Sequence, residues 1–292
     1  MNYNTESKIW RVGGPLFAYL GITYGVKLVY SIWIFYKQFK VWDINGAFNG
    51  LVYAESLTKT QQDYTLIMSG IAMAITIPVL LWLMKKDYEY PVNRRRREEV
   101  FTWKKYKKGL DVKAIPALMI MGIFASIGLS RVMLMLPIDN ILGSYSAIQE
   151  TYSMSGIGVQ LLVLGILSPI VEELLFRGLV YKRLKIYYEA SIAAYISAII
   201  FAIAHFNLVQ GLYAFAMGII FAFVHEKYKS VFAPMIAHLS ANIVSIITAV
   251  NPVSQFIDRY WVIRLLVGVV FTVAFVISVL YLHKRSEQSE NR

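Results

Sequence analysis

The chain has 292 residues, of which 57% are hydrophobic and 16% charged, with a formal net charge of +11. Apolar runs fill most of that length, which excludes a soluble domain or pair of domains and places the chain in the membrane class. There is no cysteine, so disulfides, thiol catalysis and Cys-ligated zinc are excluded as well.

A span needs about 20 apolar residues, and by that rule the chain reads as an all-α bundle of about eight membrane helices. They run over approximately 12–36, 64–84, 114–136, 156–176, 190–206, 208–225, 231–250 and 261–282. Lys27 interrupts the first run, which therefore also suits a tilted or interfacial segment. That run is rich in Tyr and Trp and lacks a small-residue cleavage site, so it reads as a retained anchor. The fifth and sixth runs are short and meet around Asn207, as two abbreviated helices joined by a tight turn.

Basic residues mark every second connection. Lys8 and Arg11 precede the first run; Lys85, Lys86, Arg94 to Arg97, Lys104, Lys105, Lys107 and Lys108 separate the second from the third. Lys182, Arg183 and Lys185 follow the fourth, Lys227 and Lys229 the sixth, Lys284 and Arg285 the eighth, whereas residues 137–156 hold no Lys or Arg. The positive-inside rule then expects both termini and the basic loops in the cytoplasm of a multi-pass protein of the cell membrane. Such loops meet anionic lipid rather than nucleic acid. With no internal repeat or long linker, residues 1–113 read as an N-terminal elaboration and 114–292 as the bundle that carries the chemistry.

Polar side chains within apolar runs mark function by default, because each costs a few kcal/mol or more. Glu172 and Glu173 break the fourth run, His205 closes the fifth, and His238 and Asn242 lie inside the seventh. Spacings of four, which put two residues on one helix face, join Glu173 to Arg177, Phe201 to His205 and His238 to Asn242. Adjacent carboxylates on a helix point about 100° apart, so Glu173 is expected to pair with Arg177. Glu172, with no local partner, would turn into the bundle, where desolvation makes a carboxylate a better proton acceptor.

Phe201 would limit the rotamers of His205, while His238 and Asn242 could donate to an oxyanion. A peptide hydrolase follows, in which Glu172, helped by His205, activates water and His238 with Asn242 stabilises the tetrahedral intermediate. Glu172, His205 and His238 equally admit a zinc site with an open position for water. Other readings are a non-catalytic scaffold or immunity protein that keeps the fold, and a proton-coupled transporter, which the lack of repeated halves disfavours. His225-Glu226 opens like a metalloprotease helix, but Lys229 stands where the second His is required. His283, beside Lys284, reads as interfacial.

Glu172-Glu173-x-x-x-Arg177, Phe201-x-x-x-His205 and His238-x-x-x-Asn242 together resemble the three motifs of the CAAX-protease and bacteriocin-processing (Abi) family. Ser168-Pro169-Ile170-Val171, Phe176-Arg177-Gly178 and Pro234-Met235-Ile236-Ala237 extend the likeness, which covers roughly residues 156–250. The resemblance implies an intramembrane endopeptidase, usually described as a metalloprotease though also argued to use a glutamate-activated water without metal, with Glu172, His205, His238 and Asn242 as its site. It also implies a membrane-associated or lipidated peptide or protein as substrate, prenylated in eukaryotic members. One tension accompanies it. At 1.5 Å per residue, Glu172 and His238 lie about 8–15 Å deep and His205 nearer 20 Å, so the fifth helix must tilt, start farther out, or border a wet cavity open to the cytoplasm.

Overall fold

The computed structural model describes residues 5–45, 50–89, 110, 112–135 and 155–290, and every regular element among them is helical. In chain order these are α1 (Thr5–Asn45), α2 (Gly50–Glu89), α3 (Ile115–Met133), α4 (Ile157–Leu184), α5 (Ala190–Ile203), α6 (Leu208–Tyr228), α7 (Phe232–Val250), α8 (Pro252–Arg259) and α9 (Trp261–Glu290). The Arg94–Arg97 run, the lysines at 104–108 and most of the Lys- and Arg-free loop lie outside the described residues.

Seven of these helices are long and apolar enough to cross a membrane, against eight expected. The difference is α5, whose 14 residues rise only about 21 Å, short of a hydrocarbon core about 30 Å thick. The expected turn follows it. Phe206 adopts a left-handed φ of 53°, and the Asn207 side chain caps α6 by accepting the Gln210 N–H at 3.1 Å. Despite Lys27, the apolar stretch Lys8–Lys37 of α1 has full spanning length.

Side-chain contacts gather alternate helix ends at one end of the bundle. Arg183, near the end of α4, forks onto Asp87 of α2 at 2.6 and 3.0 Å and also donates to the Arg11 carbonyl of α1. Glu226, near the end of α6, accepts from Tyr181 of α4 at 2.9 Å and from Lys185 at 2.7 Å. His283 of α9 lies edge-on to Phe223 of α6 at 6.0 Å. The start of α1 and the end of α9 therefore share the basic end of the bundle. At the opposite end Arg131 of α3 pairs with Asp258 at 2.9 Å and donates to Ser254 at 2.5 Å. That fastens α8, an eight-residue helix over a stretch read from sequence as a connection.

The core forms around α4. Leu175 and Leu179 are fully buried and pack in one cluster with Leu80 and Met84 of α2, so the N-terminal helices share the core of the site-bearing helix. Small residues allow the closest approaches, as helices in lipid require. A Cβ built on Gly122 of α3 would stand 2.0 Å from the carbonyl oxygen of Ala237 in α7. Ala237 immediately precedes His238, so this glycine determines how deeply α7 seats the site. Gly122→Ala is expected to lower thermal stability by roughly 1–3 kcal/mol or more, read from the unfolding temperature in detergent; an unchanged temperature would contradict that packing.

Candidate active site

Two stretches of α4 wind as π-helix, Leu161–Leu167 and Leu174–Tyr181, and they bracket the α-helical turn Ser168–Glu173. Such interruptions recur at functional sites because they re-aim side chains and release backbone groups from the regular ladder. The Ser168 N–H bonds the carbonyl of Val163, five residues back. The Leu164 carbonyl accepts instead from Asn242 Nδ2 of α7 at 2.9 Å.

Glu173 is the hub of the cluster. It is fully buried, and its Oε1 accepts from Arg177 Nη1 at 2.9 Å and from His238 Nδ1 at 2.8 Å. Arg177, likewise buried, sends Nη2 to the Gly218 carbonyl of α6 at 3.0 Å. Its guanidinium lies 4.9 Å from the Phe201 ring centroid and 5.3 Å from that of Phe221. One ion pair thus ties α4, α6 and α7 together. Burial of this kind is tolerated only where each charge meets a counter-charge and further hydrogen bonds.

A carboxylate only accepts, so His238 Nδ1 carries the proton and Nε2 is its open nitrogen. Nε2 faces Oε2 of Glu172 at 3.6 Å, and Phe221 stacks on the ring at 4.6 Å between centroids. Both glutamates therefore address a single imidazole, although their directions along the helix suggested only one would. The ring lies between them and presents one nitrogen to each, so divergent carboxylates still converge on it. Glu172 also has a local partner, contrary to expectation: the Ser168 hydroxyl, four residues earlier, donates to its Oε1. Its side chain stays 19% exposed while that of Glu173 is sealed.

His205 joins through Phe201. Its Nδ1 donates to the Phe201 carbonyl at 2.8 Å, and its ring stands edge-on to the Phe201 ring at 4.8 Å. The Phe201 ring lies 6.1 Å from His238 and packs on Phe176 at 4.8 Å. The structure thus gathers Glu172, Glu173, Arg177, His238 and Phe201 directly, with Asn242 held on α4 and His205 one turn farther along. Sequence reasoning missed Gly218, Leu164 and Phe221, and gave Ser168 no role.

For a metal, the donor chemistry has the right character. His205 and His238 both have Nδ1 tied to an oxygen acceptor, which leaves Nε2 open as metal-ligating imidazoles require. The geometry does not complete the set, because among the described residues no three His, Asp or Glu side chains gather closely enough to hold one ion.

Residues 155–244 match the family model described as type II CAAX prenyl endopeptidase Rce1-like. This is the segment that holds every residue of the cluster. That segment is similar to this family. The chain is also 31% identical over 106 residues to a Bacillus subtilis (strain 168) protein named "Putative membrane peptidase YdiL". That alignment covers 36% of this chain and 43% of YdiL, so the chain matches less than half the length of its curated relative. No solved structure matches the chain. The match over residues 155–244 and the seven long apolar helices agree on a multi-pass integral membrane protein.

Proposed function

We propose that this protein is an intramembrane endopeptidase, with Glu172 as the base that activates water against a peptide carbonyl. The observation that carries this reading is the His238 imidazole held by Glu173 on one nitrogen and facing Glu172 with the other. It is the arrangement of a reacting group, a partner and an orienting carboxylate that recurs in hydrolytic sites.

The separation of 3.6 Å between Glu172 and His238 is too long for a direct hydrogen bond and suits two groups that share a water. Glu172 takes a proton from that water, and the resulting hydroxide attacks the carbonyl. The second amide N–H of Asn242 is the donor available to the oxyanion; His238, expected to join it, has its one N–H committed to Glu173. His205, with Nδ1 committed to the Phe201 carbonyl, assists through Nε2 as an acceptor toward the substrate. The proton on Glu172 then passes to the leaving amine as the C–N bond breaks, and Glu173 keeps the imidazole in one tautomer throughout. Zinc on Glu172, His205 and His238 would polarise the same water, and metal content of active protein separates the two routes.

The substrate on this reading is a membrane-associated or lipidated peptide or protein. The basic end of the bundle faces the cytoplasm and anionic lipid of the cell membrane, and the site opens toward it. Purified protein in liposomes should cleave a quenched reporter peptide, and Asn242→Ala should lower turnover by roughly 10²–10³. Equal turnover in this variant would remove Asn242 from the oxyanion role, and no cleavage by the wild type, in vitro or among membrane-proteome N-termini, would overturn the reading.

A further inference from the structure

Hydroxyls within these helices ordinarily turn back to a backbone carbonyl. Ser69 donates to the Thr65 carbonyl, Thr76 to that of Ala72 and Ser240 to that of Ile236, each four residues earlier. Ser168 does the reverse. The carbonyl four residues before it belongs to Leu164 and is held by Asn242, and the Ser168 hydroxyl donates forward to Glu172 Oε1. Ser168 is 9% exposed, which shields this contact from competing water.

We infer that Ser168 is a positioning residue for Glu172, holding one carboxylate oxygen so that the other faces His238. This rests on Glu172 being the base. The preceding π-helical stretch makes the arrangement possible, because the Ser168 N–H bonds Val163 and leaves the Leu164 carbonyl to α7. A glutamate has three rotatable bonds, and in a site still open to water an untethered carboxylate samples several orientations. Fixing one oxygen selects the orientation in which the other meets the attacking water, an effect that acts on turnover rather than on substrate affinity.

The test compares wild type, Ser168→Ala and Ser168→Thr in detergent, by two readouts. The first is hydrolysis of the reporter peptide. Ser168→Ala should lower kcat roughly 10-fold or more and leave KM within about twofold, with an unchanged unfolding temperature, while Ser168→Thr, which keeps the hydroxyl, retains most of kcat. The second needs no activity: the rate at which a hydrophobic carbodiimide modifies Glu172, followed by mass spectrometry. It should rise several-fold in Ser168→Ala, where Oε1 is uncovered, and not in Ser168→Thr. An unchanged kcat in Ser168→Ala, or an unchanged modification rate, would overturn the assignment. Faster modification in a protein that cleaves no peptide would uphold the contact and contradict the hydrolytic reading instead.

Discussion

Glu172→Gln is expected to lower turnover of a reporter peptide by roughly 10²–10⁴, the range that a positioned general base contributes, while the protein stays folded. The substitution is close to isosteric. Its amide oxygen can still accept from Ser168, and the neighbouring ion pair of Glu173 and Arg177 is untouched. What disappears is the ability to take a proton. Because Glu172 is part-exposed and the direct partner of buried Arg177 is Glu173, the unfolding temperature of the variant should stay within a degree or two of the wild type. Turnover equal to the wild type would remove Glu172 from the reaction.

Arg177→Ala should damage the fold instead. It leaves the Glu173 carboxylate buried beside an imidazole alone, removes the bond to the Gly218 carbonyl and empties the space between Phe201 and Phe221. Removing one partner of a buried ion pair costs about 3–5 kcal/mol, enough to drop the unfolding temperature steeply and reduce the yield of folded protein. A second substitution isolates the cause. Glu173→Gln in the same chain removes the orphaned charge and should recover part of the loss, whereas no recovery would mean that packing rather than charge dominates. Activity should not return, because a neutral amide in place of the Glu173 carboxylate holds the His238 tautomer less firmly.

The membrane makes much of this site legible in sequence. Glu172, His205, His238 and Asn242 stand out against apolar neighbours, and spacings of four pair Glu173 with Arg177 and Phe201 with His205. The structure keeps both pairings. The remaining features are invisible for physical reasons. Gly218 and Leu164 act through backbone carbonyls, which have no sequence signature. Phe221 is one aromatic among many. The π-helical stretches of α4 have no spacing signature, although Pro169, which donates no N–H, stands just after the first of them. Ser168 stands at the right spacing from Glu172, but serines in such helices usually bond their own backbone, and its forward bond to Glu172 appears only in the structure.

Hydrophobic length located seven long helices and the turn at Asn207, yet an apolar run cannot disclose that α5 stops after 14 residues. That early stop is tied to the positioning of Phe201 and His205, because the turn comes directly after them. The Phe201 ring, not a direct contact, links His205 to the cluster. The α8 helix escaped notice because eight residues between two spans look like a connection until Arg131 is seen to fasten them.

At the root of the account, Glu172 on α4 and His238 on α7 form one chemical unit across two helices. A double-mutant cycle with Glu172→Gln and His238→Ala, measured as single-turnover rates of peptide cleavage, tests this directly. Groups that act together are non-additive, so the double variant should cleave no more slowly than the worse of the two single variants. Losses that multiply in the double variant would show two independent groups and contradict the shared site.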